Sequence, residues 1–249
     1  MMNDLYPPES QKLDFIGHLE ELRRRLLVCL GFLLIAGIVM FSQGHKIMSL
    51  AKRPINGMVD ELIFITPSEV FVAYIKVSLL SAFFICFPII LYQSWKFIEP
   101  AVSSKGKANT YFWMSLAMLG FIAGLNFSYF IALPAALKFL LFFGQGVATP
   151  NITIAKYISF FGAFMLIGGV IFEIPIIIGL LTEVGMIKTA MLKKQRKYAL
   201  LIILIIAAVI TPTQDLVNMM VFAVPMFLLY EVGIILAAFI EKKRDRNLK

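Results

Sequence analysis

The sequence predicts an all-α, polytopic membrane protein with six transmembrane helices and both termini in the cytoplasm. Three observations lead there. Of 249 residues, 60% are hydrophobic and only 15% charged, with a mean hydropathy of +0.86; soluble domains average about 45–50% and about 25%. Charge-free apolar stretches recur at the length of roughly 17–25 residues that a hydrocarbon core of about 30 Å requires. The net charge of +8 gathers at the edges of those stretches, where it reports topology. A water-soluble enzyme is excluded, and no nucleic-acid partner is expected.

The first element is the tail, residues 1–25, expected as a cytoplasmic interfacial helix. Asp14 suits its N-cap, and Phe15, Leu19, Leu22 and Leu26 recur at i, i+4, i+7 and i+11, one apolar stripe. Spans are expected at 26–42, 77–95, 108–137, 157–182, 198–214 and 216–240, within one transmembrane domain covering 1–249. The third is long enough to tilt or to emerge. The fourth contains Glu173 and Pro175, and Pro175 is expected to kink it. The fifth is short and ends at Thr211-Pro212-Thr213, so the last two spans form a hairpin that either snorkels at its basic flanks or thins the bilayer. Loops 44–70 and 134–156 fall outside; residues 62–65 and 70–72 suit short strands or a helical turn equally well. No 20–50-residue repeat is evident.

Orientation follows from the basic residues. Of 23, only Lys46, Lys52, Arg53, Lys76, Lys138 and Lys156 lie away from the tails and the loops near 96–107 and 188–197. The positive-inside rule therefore puts both termini in the cytoplasm. The mixed tail ahead of the first apolar run is unlike a cleavable signal, so tail and first span are expected to persist. Cys29 and Cys86 sit in apolar runs and offer no disulfide framework or CxxC site.

Candidate chemistry is sparse. Glu20–Arg24 and Glu21–Arg25 stand at i, i+4, the spacing of surface pairs worth about 0.3–0.5 kcal/mol that need no function. Glu173 differs: an acid at mid-span costs about 2.5–3.5 kcal/mol and usually faces a partner or a polar cavity. A protonated acid bonded inside the bundle is the plainer account. Asp215 suits a cap of the last helix, and Glu231 a pairing with an interfacial base. With two histidines and no HExxH, GxSxG or P-loop, no catalysis, metal or cofactor is expected.

These segments, taken in order, resemble one family. His18-Leu-Glu-Glu-Leu-Arg-Arg-Arg-Leu26 looks like the opening signature of the TatC proteins of the twin-arginine protein translocase. Phe64-Ile-Thr-Pro-Ser-Glu-Val-Phe71 is similar to its first outer loop, and Pro88-Ile-Ile-Leu-Tyr-Gln-Ser-Trp-Lys-Phe-Ile-Glu-Pro-Ala101 to its first cytoplasmic loop. Phe172-Glu-Ile-Pro175, Thr211-Pro-Thr-Gln-Asp215 and Leu229-Tyr-Glu231 match later blocks. The resemblance implies a receptor for twin-arginine signal peptides that moves folded proteins across the bacterial inner membrane, drawing on the proton-motive force. It implies single-span TatA/TatB-type partners, self-association in a larger complex, and no cofactor.

By the same resemblance Glu21, Arg23 and Phe97 belong to signal-peptide binding. The family's second acid falls at Gly106 here, a departure, and Glu99 is the nearby carboxylate expected to replace it. Glu173, Asp215 and Glu231 are assigned to intramembrane polar or partner contacts, and Pro67, Glu69, Pro88, Pro175 and Pro212 to loop and helix structure. A proton-coupled small-solute carrier is the rival reading: it would use Glu173 and Asp215 as a relay but leaves the tail motif unexplained. A structural scaffold would tolerate Ala at Glu21 and Glu173.

Overall fold

A computed structural model describes residues 9–59, 61–103, 110–144, 149–211 and 215–247, with the side chains of 9–16, 18, 98–103, 110 and 244–247 excepted. The described backbone is helical, without strands. Its helices are α1 (Glu9–Ser42), α2 (Gly44–Lys52), α3 (Pro67–Ser103), α4 (Thr110–Phe127), α5 (Leu133–Phe143), α6 (Ile154–Ile171), α7 (Ile174–Glu183), α8 (Thr189–Lys194), α9 (Arg196–Ile210) and α10 (Leu216–Asn247).

Six crossings result. Five come from long apolar stretches in α1, α3, α4–α5, α6–α7 and α10. The fifth in chain order, α9, has 15 residues and spans about 22 Å. It stops at Ile210 because Thr211 is extended (φ −63°, ψ 127°), the conformation that a following proline imposes. Pro212 itself lies outside the described residues.

Local chemistry explains the irregular points. α1 carries the tail and the first span as one unbroken helix. The third crossing runs on to Phe143, so the segment after Pro134 is helix where the sequence suggested a loop. A π turn at Ser128–Ala132 makes this workable: Leu133 N–H bonds to the Ser128 carbonyl, and Pro134 follows in the first turn of α5. The fourth crossing breaks at Phe172 and Glu173, where Pro175 cannot supply an N–H. Glu173 N–H instead bonds one residue short, to the Val170 carbonyl at 3.1 Å, and the helix resumes with Ile177 N–H on the Glu173 carbonyl at 2.9 Å.

Packing centres on α3, against which α1 and α6 lie; α6 also packs on α4, and α10 on α7 and α9. Phe121, Phe164, Phe222, Tyr157 and Ile158 are buried in this core. α4 and α6 touch backbone to backbone: a Cβ on Gly124 would stand 2.3 Å from the Gly168 carbonyl oxygen. Only glycine permits that approach.

The face opposite the chain termini carries a small cap. Tyr157 OH donates to the Ala51 carbonyl at 2.6 Å and Tyr129 OH to that of Leu50 at 2.9 Å, which fastens α2 to the bundle. Ile63 pairs with Thr153 in an isolated bridge, through Ile63 N–H to the Ile152 carbonyl (3.1 Å) and Ile154 N–H to that of Ile63 (2.8 Å). Residues 70–72 lie in the first turns of α3, so there the helical alternative holds and no short strand forms.

Candidate functional site

Two of the predicted site residues, Glu21 and Glu173, lie at separate places in the fold, and most of the remaining ones are dispersed. The first surrounds Glu21 on α1. Arg25, one turn on, donates from Nε to Glu21 Oε1 at 3.0 Å, and its Nη2 reaches the same oxygen. The i, i+4 spacing sets up this contact. What the sequence did not reveal is the other half: Arg25 Nη1 donates to Gln93 Oε1 at 3.1 Å, and Nη2 lies 3.5 Å from the Lys96 carbonyl oxygen. One guanidinium therefore bolts the tail helix to the end of α3. The separation of 68 residues hid the Gln93 contact, which only the register of α1 against α3 creates.

Beside this bracket lies an open hollow of about 840 Å³, bordered by Gly17, Glu20, Glu21, Arg23, Arg24, Leu27 and Val28. Arg23 thus shares the hollow with Glu21. Glu20, legible in the sequence only as a surface pair, lines it as well. Phe97 is half-buried directly after Lys96, whose ammonium lies 5.0 Å from the centre of the Tyr92 ring. Glu99 lies on the last turns of α3 with its side chain outside the described atoms, and Gly106 lies outside the described residues. Acidic and basic side chains with an apolar wall suit an extended cationic peptide: a carboxylate can take a guanidinium through two parallel bonds, which an ammonium cannot match.

The second lies at the break between α6 and α7. Glu173 is half-buried, and its Oε1 is buried without a hydrogen-bond partner among the described residues. It faces Gly120 of α4, where a Cβ would come 3.7 Å from that oxygen. The neighbouring cluster is Trp95, Trp113, Ala117 and Ile176. Trp113 spends its indole N–H on Glu183, a contact between α4 and α7 that no local pattern announces. A half-buried acid beside a helix break is a polar point within an apolar wall, able to bond a polar group on a partner helix.

The other two acids have local partners. Asp215 caps α10, accepting Asn218 N–H at Oδ1 and Asn218 Nδ2 at Oδ2, both at 2.8 Å. Glu231 accepts from Arg196 Nη2 at 2.7 Å, the interfacial pairing its position suggested. The two stand about 24 Å apart along α10. Glu173, Asp215 and Glu231 are thus not gathered into one site. Glu69 secures the start of α3: its Oε1 and Oε2 accept from Thr66 Oγ1 (3.4 Å) and Ile65 N–H (3.5 Å). Pro67 opens α3, where a missing N–H costs nothing; Pro88 is exposed within α3, and Pro175 is buried. No cluster of three metal-ligating side chains occurs among the described residues.

Comparison with known proteins gives a consistent result. Residues 17–225 match the family model of the Sec-independent protein translocase protein (TatC). The Aquifex aeolicus protein of that name is 38% identical over 236 residues, covering 93% of this chain and 98% of that one. The Carboxydothermus hydrogenoformans protein is 32% identical over 235 residues, covering 94% and 97%. Among solved structures, the crystal structure of the twin-arginine translocase receptor TatC superposes with a TM-score of 0.79 at 38% identity, covering 90% of this chain and 99% of that one.

Proposed function

The chain belongs to the TatC family of Sec-independent protein translocase proteins, and from that premise we propose that Glu21 is the carboxylate with which it receives twin-arginine signal peptides. As a member of that family it is a membrane-embedded component of the protein translocase, a family not known for catalysis. The observation that carries the assignment is the bracket at Glu21. A carboxylate at the edge of an open hollow, bonded to an Arg25 guanidinium that Gln93 and the Lys96 carbonyl anchor on α3, is pre-positioned for the guanidinium of a ligand. Arg23 and Phe97 border the same region, and Glu99 serves as the second carboxylate in place of the family acid missing at Gly106.

The finer features extend this reading. The whole chain forms one transmembrane domain in the cytoplasmic membrane, both termini inside, so the hollow opens toward arriving cargo. TatA/TatB-type single-span proteins dock on the apolar wall, where Glu173 offers its uncommitted oxygen to a polar side chain of theirs; Asp215 and Glu231 hold the last helix pair. The proton-motive force drives transport. The carrier reading finds no support: Asp215 is taken up in capping α10, and Glu173 lies at the break of a different crossing.

The test is transport in cells that rely on this chain. A folded reporter with a twin-arginine signal should be exported by the parent chain and retained inside with Glu21→Gln, while a Sec-dependent reporter is unaffected. Glu99→Gln should lower export as well; export equal to the parent would remove Glu99 from the site. Full export with Glu21→Gln would remove the assignment of Glu21.

A further inference from the structure

Glu21, on the border of the hollow, already holds a guanidinium of the protein's own. Arg25 contacts Glu21 Oε1 through Nε and Nη2, while α3 holds the other side of the same group through Gln93 and the Lys96 carbonyl. A ligand arginine needs the same carboxylate, so it meets a competitor of its own chemical kind. The competitor is not stranded by displacement, because a guanidinium has five N–H donors and keeps its two partners on α3. We propose that Arg25 is a resident stand-in for the ligand's arginine, occupying Glu21 and yielding it when the peptide binds. This rests on the receptor assignment above.

The exchange has a definite thermodynamic form. Replacing one guanidinium by another conserves the charge-assisted bonds, whereas an ammonium displaces Arg25 at a loss. Competition by Arg25 weakens every cationic ligand by the same factor. It does not create the preference for arginine over lysine; it moves the weaker lysine ligand out of the working range of affinity.

The experiment titrates the whole chain in nanodiscs with a twin-arginine peptide and its twin-lysine counterpart. Arg25→Gln should tighten both by a common factor of about fivefold to tenfold, the scale of one part-buried charged hydrogen bond, with their ratio unchanged. Arg25→Lys should give a smaller gain in the same direction, and it carries the test if the Gln variant does not fold. In a Glu21→Gln background the Arg25 substitution should have no effect. A gain that persists there would reflect general charge repulsion and overturn the proposal. Weaker binding of both peptides by the Arg25 variants, with Glu21 still required, would make Arg25 a mere support and leave the receptor assignment standing. A parent without arginine preference and indifferent to Glu21→Gln would end both.

Discussion

At Glu21 a short-range rule and a long-range contact combine. The i, i+4 spacing to Arg25 was visible in the sequence, and by itself it described an ordinary surface pair. Gln93 and the Lys96 carbonyl turn that pair into a joint between α1 and α3, and no local pattern announces them. Glu173 was legible for the opposite reason: a charge inside an apolar run stands out without any knowledge of its neighbours. Its neighbour across the interface, Gly120 of α4, emerged only with the fold. Glu173→Gln keeps a hydrogen-bonding group of the same size and should preserve much of the transport activity, whereas Glu173→Leu should abolish most of it. Equal activity of the two variants, measured by reporter export, would argue against a polar contact there.

Two helices followed their backbone signals closely. Pro175 broke the fourth crossing and Asp215 capped α10, as their chemistry requires. Pro134 misled, because a π turn absorbs its missing N–H, and no residue pattern distinguishes that from a helix end. The α4–α6 contact yields a direct prediction. Gly124→Ala should cost about 1–3 kcal/mol through overpacking against the Gly168 carbonyl, seen as a lower thermal midpoint in detergent. Gly31→Ala, with nothing within 4 Å of the added methyl, should leave the midpoint unchanged or raise it slightly. Equal effects would mean that the close approach does not limit packing. Tyr157→Phe, which deprives the Ala51 carbonyl of its donor, should cost about 1 kcal/mol and speed hydrogen exchange across α2. Unchanged exchange in residues 44–55 would show that the cap is held by other contacts.

For the whole molecule, composition alone delivered the class, and the length of charge-free apolar stretches the crossings, because a bilayer constrains segment length far more tightly than water does. The sequence could not show how the crossings are arranged, and that arrangement brings the end of α3 to the tail. Orientation is testable directly: a phosphatase reporter fused after residue 249 should stay inactive, and one inserted near residue 57 should be active. The reverse pattern would turn the hollow away from its cargo. The central claim is that Glu21 reads arginine, and binding measures it most directly. The purified chain in nanodiscs should bind a twin-arginine signal peptide more tightly than its twin-lysine counterpart, and Glu21→Gln should weaken the arginine peptide by about tenfold or more, as loss of a charged hydrogen bond requires. Equal binding of both peptides, untouched by the substitution, would contradict the account.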